Sequence, residues 1–354
     1  MRQDKVIFSG PNPFIEFGKC KELTVLLDEN KFTFVATLNS IHMMASFDSK
    51  VKVLEGTEKT VRDAYTIPLS LIFPLFKLDT KTTDNSLTLE TTIDKVVITY
   101  NGVTVETDIY SPNGLTLQQL KEISISDSLQ ASPGPFVRMI EIFGTTKDNY
   151  CNVDGKTLFI SDDSKCLIYT DEVDYQKKFS VPIQFIRFMK SMNCTQLYIG
   201  NNLVATTKSG IWLVTNLSKI TDPNVLLDYK FATKVKSDNI YSLSINKYTK
   251  QINLAVQSSE LSASLDFEKR QLIITSSNNE KTVFKLDNKD IVKEGEFDLF
   301  GSMQSSPRES VVLTDARLIK SLASFGAVKV KVCPEFLLAK LGKNHKLMFT
   351  LGRV

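Results

Sequence analysis

The sequence predicts an α+β fold dominated by antiparallel sheet and built from three related modules. Two observations carry this. One unit, a strand, a short amphipathic helix and an antiparallel meander, occurs three times, beginning at Tyr65, Phe179 and Val311. Most of the remaining chain alternates apolar and polar residues between turn formers, the pattern of half-buried strands. A length of 354 residues allows two or three domains. The repeat decides for three, 1–114, 115–224 and 225–354.

The central copy is the clearest. A strand over Phe179–Val181 meets Pro182, which stands where a first helical turn tolerates a missing N–H. Ile183, Phe185, Ile186, Met189 and Met192 then recur at helical spacing, while Gln184, Arg187, Lys190 and Ser191 take the other face. Strands over Gln196–Gly200, Leu203–Thr207 and Gly210–Thr215 follow, parted by Gly200-Asn201-Asn202 and Lys208-Ser209-Gly210 turns. In the first copy Ile67-Pro68 aligns on Val181-Pro182, Pro74 kinks a helix over Ile72–Leu78, and Asn101-Gly102 marks a hairpin. In the third, Ile319 aligns on Ile186, and Gly342-Lys343-Asn344 is the turn.

The rest is read in chain order. Residues 1–64 carry the alternating runs KELTVLL, FTFVATL, IHMMASF and KVKVLE, a meander. Ser111-Pro112-Asn113-Gly114 is the first boundary, and the next stretch, LTLQQLKEI, fits a strand or a short helix. Phe136–Thr146 reads as a helix opened by Pro135, and TLFISD and CLIYTDE as strands. The second boundary lies near Ile220–Asn224. Beyond it YKFATKV, IYSLSIN, QINLAVQ, ELSASLDF, QLIITSS and KTVFKLD all read as strands. The runs 34–47 and 254–265 share a pattern and pair the first halves of domains one and three, which are expected to be poor in helix.

Chemistry-bearing motifs are scarce. The chain has two histidines, His42 and His345, both near turns or in strands, and no HExxH, GxSxG, GxGxxG or complete phosphate-binding loop. Gly155-Lys156-Thr157 is a hairpin turn, and Asp162-Asp163, Asp79 and Asp84 read as turn aspartates. An enzyme needs a convergent set of acid, base or nucleophile, so a non-catalytic protein without cofactor or metal is expected. Five cysteines, odd in number and without CxxC spacing, read as reduced thiols. A net charge of +3 gives no global basic field, so any nucleic-acid contact must be local. No apolar run approaches the roughly 18 residues of a spanning helix, and none near the N-terminus suits a signal peptide. A cytoplasmic protein with no membrane contact is expected.

The order of elements resembles the DNA sliding clamps, the polymerase processivity factors, in their three-domain bacterial form. The resemblance is carried by Val181-Pro182-Ile183 with its helix, by Leu158–Asp163 with Leu167, and by the terminal VVLTDARLIKSLASFGAVKVKV and KLMFTLGRV. It covers the whole chain, with divergence similar to that of phage-encoded clamps. Departures are the missing first helices of domains one and three, Pro74, and a tail that lacks the family's proline-methionine ending.

The resemblance implies short helices inside and antiparallel sheets outside a ring of two identical chains, threaded by duplex DNA without sequence preference. Helix positions Lys77, Arg138, Gln184, Arg187, Lys190, Arg317 and Lys320 would then meet phosphates, although exposed helix faces are commonly charged. The family also binds short peptide motifs of the polymerase and the clamp loader between the second and third domains. That implies a groove here using Leu158, Asp162, Ser164, Lys165, Leu167, Leu351 and Val354. Leu167 as core, with a tail that merely closes the last sheet, is the other reading. The resemblance places the protein in a bacterial cytoplasm or an infected cell. A structural virion or assembly protein of repeated β-rich modules would explain the repeats equally well.

Overall fold

The computed structural model describes residues 2–7, 20–28, 31–38, 40–48, 50–53, 64–76, 86–100, 102–112, 122–144, 150–162, 165–208, 210–220, 240–256, 262–276, 278–293, 310–313, 317–333 and 336–352. In chain order these form β1 (Arg2–Ile7), β2 (Glu22–Leu27), β3 (Lys31–Leu38), β4 (Ile41–Asp48), β5 (Lys50–Val53), β6 (Ala64–Pro68), α1 (Leu69–Phe76), β7 (Ser86–Thr91), β8 (Lys95–Tyr100) and β9 (Val103–Asp108). Then come β10 (Leu129–Ala131), α2 (Gly134–Phe143), β11 (Tyr150–Asp154), β12 (Thr157–Ser161), β13 (Lys165–Thr170), β14 (Lys178–Pro182), α3 (Ile183–Ser191), β15 (Gln196–Ile199), β16 (Asn202–Thr206) and β17 (Ile211–Asn216). The last stretch holds β18 (Ile240–Leu243), a 3-10 turn (Asn246–Tyr248), α4 (Thr249–Ala255), β19 (Ser262–Asp266), β20 (Gln271–Thr275), β21 (Lys281–Lys285) and β22 (Ile291–Lys293). It closes with β23 (Ser310–Leu313), α5 (Arg317–Ala323), β24 (Val328–Val332), β25 (Phe336–Leu341) and β26 (His345–Gly352).

The three copies found in the sequence are β6-α1-β7-β8-β9, β14-α3-β15-β16-β17 and β23-α5-β24-β25-β26. In the first two, a proline ends the strand and the helix starts on the next residue, at Pro68-Leu69 and Pro182-Ile183. Pro74 lies inside α1, where it cannot bond back to Ser70. The helix ends two residues later. Gly102 has φ +79°, as a two-residue hairpin loop requires. Gly144, at φ +78°, donates its N–H to Ile140 O at 3.0 Å and stops α2.

These elements gather into two compact units, Met1–Pro133 with Phe185–Leu217, and Gly134–Gln184 with Ser218–Val354. The first holds two antiparallel sheets, ordered β5-β1-β7-β8-β9 and β10-β15-β16-β17-β4-β3-β2-β6. The larger is joined where β17 pairs β4, Leu213 opposite Met43, across a long separation in sequence. Its two faces are both packed. Leu26, Val35, Met44, Val204 and Val214 form a cluster on which Trp212 rests, and Phe32, Phe34 and Phe47 pack edge-on or tilted against one another on the opposite side.

The second unit holds one branched sheet of thirteen strands, with the path β14-β11-β12-β13-β26-β23-β19-β20-β21. A second arm leaves β26 through β25, β24, β18 and β22. Its long-range joint is β13 on β26, Leu167 opposite Leu347. Helices α2, α4 and α5 are tied to one another by hydroxyls that satisfy terminal carbonyls. Ser321 Oγ donates to Ile142 O at 2.6 Å, and Thr249 Oγ1 to Ala323 O at 3.0 Å.

Two sequence readings need correction here. QINLAV is not a strand; Gln251–Ala255 lie in α4 and Val256 in the turn after it, with Ile252 and Val256 buried four residues apart and Leu254 68% exposed between them. The run 34–47 is the β3-β4 hairpin, whereas 254–265 begins as helix and ends as strand, so the two do not correspond. The stretch 225–354, expected to be poor in helix in its first half, therefore has a helix there, α4. YKFATKV lies outside the described residues.

Candidate functional site

On α2, α3 and α4 cations stand on outward faces because the inward faces are consumed by core. In α3, Phe185, Ile186, Phe188 and Met189 are buried, which leaves Arg187 and Lys190 exposed and Gln184 half-buried. Lys190 also sits in the last turn, where a positive charge complements the helix dipole. In α2, Phe136, Met139, Ile142 and Phe143 are buried and Arg138 is exposed. Its guanidinium lies 5.6 Å from the Phe325 ring centre and 3.4 Å from Glu141.

In α5, Ile319 and Leu322 are buried while Lys320 is half-buried; Arg317 opens the helix, its side chain outside the described residues. Reading α4 as a strand concealed Lys250, an exposed cation on its first turn. That turn is anchored by Lys247, whose ammonium meets Asp287 at 2.6 Å and the buried Asp290 at 2.7 Å. Burial would raise the Asp290 carboxyl, but the Lys247 and Asp287 hydrogen bonds outweigh it and hold the group below its ordinary range. Helix α1 exposes Ser70, Leu71 and Pro74 and shows no cation among its described residues; Lys77 lies outside them.

The residues expected to line a peptide groove fall differently. Leu158 and Leu167 are fully buried, on the sheet face that meets α2. Lys165 is buried too. Its ammonium donates to Phe143 O at 2.9 Å, lies 4.3 Å from the Phe143 ring centre and 3.9 Å from Asp162. It caps the C-terminus of α2 and faces inward, which corrects its reading as a rim residue. Asp162 is half-buried and accepts the Lys165 backbone N–H at 3.1 Å. Leu351 pairs Leu313 in β26-β23. Ser164 and Val354 lie outside the described residues.

The opposite face of the same strands presents a different set. Phe159, Cys166 and Ile168 form a cluster with the partly exposed Ile220, Leu338 and Met348 packed on it. Because side chains alternate along a strand, a one-residue offset moves a reading from this face to the other.

Replacing Lys165 by Met should remove a charge-assisted bond to a helix end. A loss of about 2 kcal/mol in unfolding free energy is expected, measured by urea denaturation. Wild-type stability in this variant would show that the cap does not hold α2.

His345 packs its ring on Tyr169, with centres 4.6 Å apart, and its buried Nε2 has no hydrogen-bond partner among the described residues. Burial, and then the Arg138 charge, hold its pKa below the ordinary value of 6.5; burial lowers His42 likewise. The unfolded chain therefore takes up protons first as pH falls below about 6.5. Stability present above that value is lost as pH falls through the lowered folded value. The urea midpoint should be lower at about pH 5.5 than at about pH 7.5, and His345→Gln should shrink the difference. An undiminished difference in that variant would remove His345 from the effect. Burial also raises the thiols of Cys20, to about 11, and of Cys194, to about 12. Neither is a thiolate nucleophile near neutral pH.

No helix among the described residues is long and apolar enough to cross a membrane. Neither a protein-family model nor a curated protein matches the sequence. Solved structures do match. The DNA polymerase III subunit beta from Pseudomonas aeruginosa superposes with a TM-score of 0.71 at 11% identity, over 99% of this chain and 100% of its own. The DNA polymerase sliding clamp from Caulobacter crescentus gives 0.71 at 12%, over 99% and 100%. A sliding clamp from Bartonella birtlesii, bound to griselimycin, gives 0.71 at 11%, over the full length of both chains. From end to end, the chain has the DNA clamp fold of the DNA polymerase III beta subunits.

Proposed function

We propose that the protein is a DNA sliding clamp: two chains close a ring around duplex DNA and tether a polymerase to it. The observation that carries this reading is the full-length match of fold to sliding clamps, joined to cations at outward positions of α2, α3 and α4. No group in this reading performs catalysis; retention is topological, and weak phosphate contacts permit sliding. Residues 1–114, 115–224 and 225–354 are its three domains. Arg138, Gln184, Arg187, Lys190, Arg317 and Lys320 contact phosphates, with Lys77 and the added Lys250. The site of action is the cytoplasm, bacterial or of an infected cell.

Ring closure uses two sheet edges. β9 ends the five-stranded sheet and exposes Glu106 and Asp108; β21 ends the thirteen-stranded sheet and exposes Lys281, Val283 and Lys285. Pairing β9 of one chain with β21 of the next sets opposite charges together. Pairing either edge with itself would set like charges together.

Polymerase and clamp loader dock through short apolar-anchored peptides on the patch of Phe159, Cys166, Ile168, Ile220, Leu338 and Met348. Asp162 borders this surface. Leu158, Lys165 and Leu167 support it from beneath, on the face to which the β26 register also assigns Leu351; Ser164 and Val354 are proposed to contribute by resemblance alone. An apolar anchor with a polar rim suits an exchangeable site.

The test is retention on DNA. Protein loaded on a nicked circular plasmid should co-elute with it in gel filtration and be lost when the plasmid is cut once. Equal retention on circular and linear forms would point to ordinary surface binding.

A further inference from the structure

Each unit carries an apolar cluster at its long-range joint, and the two are built alike. Where β17 meets β4, Thr206, Trp212, Met44 and Val35 form one cross-strand row. Where β13 meets β26, the row is Ser161, Cys166, Met348 and Leu338, within the docking patch proposed above. The first joint already has an occupant. Residues 122–128 form a strap that leads into β10 and lays Ile123 and Ile125 on the cluster of Leu26, Val35, Met44, Val204 and Val214. Glu122, Ser124, Ser126 and Asp127 are exposed, so the strap turns its side chains inward and outward by alternation, as a strand does. It is not bonded like one. Ser126 N–H donates to Ser124 Oγ and Ser128 N–H to Ile125 O, each at 3.2 Å. Among the described residues no hydrogen bond joins 122–127 to the sheet beneath. Two isoleucines, both only half-buried, hold the strap in place, and a segment with so few ties opens well before the fold does. On the same cluster Trp212 and Tyr198 remain partly exposed. Such rings pair a broad apolar body with a polar tip and favour interfaces.

We propose that the strap is an exchangeable internal ligand, and that the face beneath it takes an extended segment of a partner protein with two aliphatic side chains two residues apart and small polar residues around them. The strap itself shows the chemistry of the occupant. Tethered to β10, it competes at a high effective concentration, so the first joint stays closed to partners until the strap is displaced. Neither ring closure nor DNA is needed for this exchange.

Trp212 is the single tryptophan of the chain, and its emission reports on this face. The full-length I123S/I125S variant should emit at longer wavelength than the wild type, because water reaches the uncovered ring. A peptide copying 121–128 should return the emission to the wild-type position; the same peptide with serine at both isoleucine positions should not. By calorimetry the first peptide should bind the variant at least about tenfold tighter than the wild type, whose own strap competes. The single variant I125S should move both readings the same way by a smaller amount, and it carries the test should the double variant not fold. Equal affinity of the first peptide for wild type and variant, or binding that leaves Trp212 emission unmoved, overturns the proposal and leaves the docking patch of the second unit standing. A folded variant that binds neither peptide overturns it too.

Discussion

Reversing Lys281 and Lys285 to glutamate should convert the proposed two-chain ring to single chains at micromolar concentration. Edge strands are the natural place for chains to join, because each carries unpaired backbone groups. β21 exposes Lys281 and Lys285 beside Val283, and β9 exposes Glu106 and Asp108, with Glu106 held by Lys95 at 2.6 Å. Cross-strand charge pairs are worth about 0.2–1 kcal/mol each, and like pairs cost a similar amount. Reversing two positions should therefore raise the dimer dissociation constant by about 10- to 100-fold. Multi-angle light scattering across a dilution series reads this directly. The strongest form of the test is restoration: E106K/D108K combined with K281E/K285E should recover the dimer. If the reversed protein stays a dimer, the chains join elsewhere.

The second large effect is on DNA. The variants R187E/K190E and R138E/K320E should each weaken binding to duplex DNA without regard to its sequence. Each lost phosphate contact flattens the slope of log K against log[salt] by about 0.9. All four side chains lie on outward or half-exposed helix positions, so thermal unfolding should change little. Lys250→Glu should act in the same direction if α4 shares the contact. Wild-type affinity and slope in both double variants would detach these helices from DNA.

Much of this architecture was legible in the sequence, and the failures have physical causes. The strand-helix-meander unit is readable because Ile183–Met192 keeps helical spacing between Pro182 and Asn193, the latter at φ +51°. Helix α4 was not, because Asn253-Leu254-Ala255-Val256 alternates like a strand, and only tertiary packing of Ile252 and Val256 reveals which face is buried. The pairings of β4 with β17 and of β13 with β26 could not be read, since nothing local to 41–48 names a partner at 211–216.

Leu158 and Leu167 lie on the face that meets α2, whereas Phe159, Cys166 and Ile168 occupy the face turned away from it. Alternation along a strand fixes the two sets but not which of them the helices will cover. Lys165 misled because a lysine in a turn reads as exposed. Its burial is offset by a carbonyl, an aromatic face and a carboxylate that only the folded chain assembles.

The central claim is that two chains enclose DNA, and negative-stain electron microscopy of the purified protein examines it most directly. Heterologous contacts between edges close into a ring only when the rotation per chain fits. The account predicts closed rings of two chains, six domains around an open centre. Compact particles without a hole, or open filaments of joined chains, would contradict it.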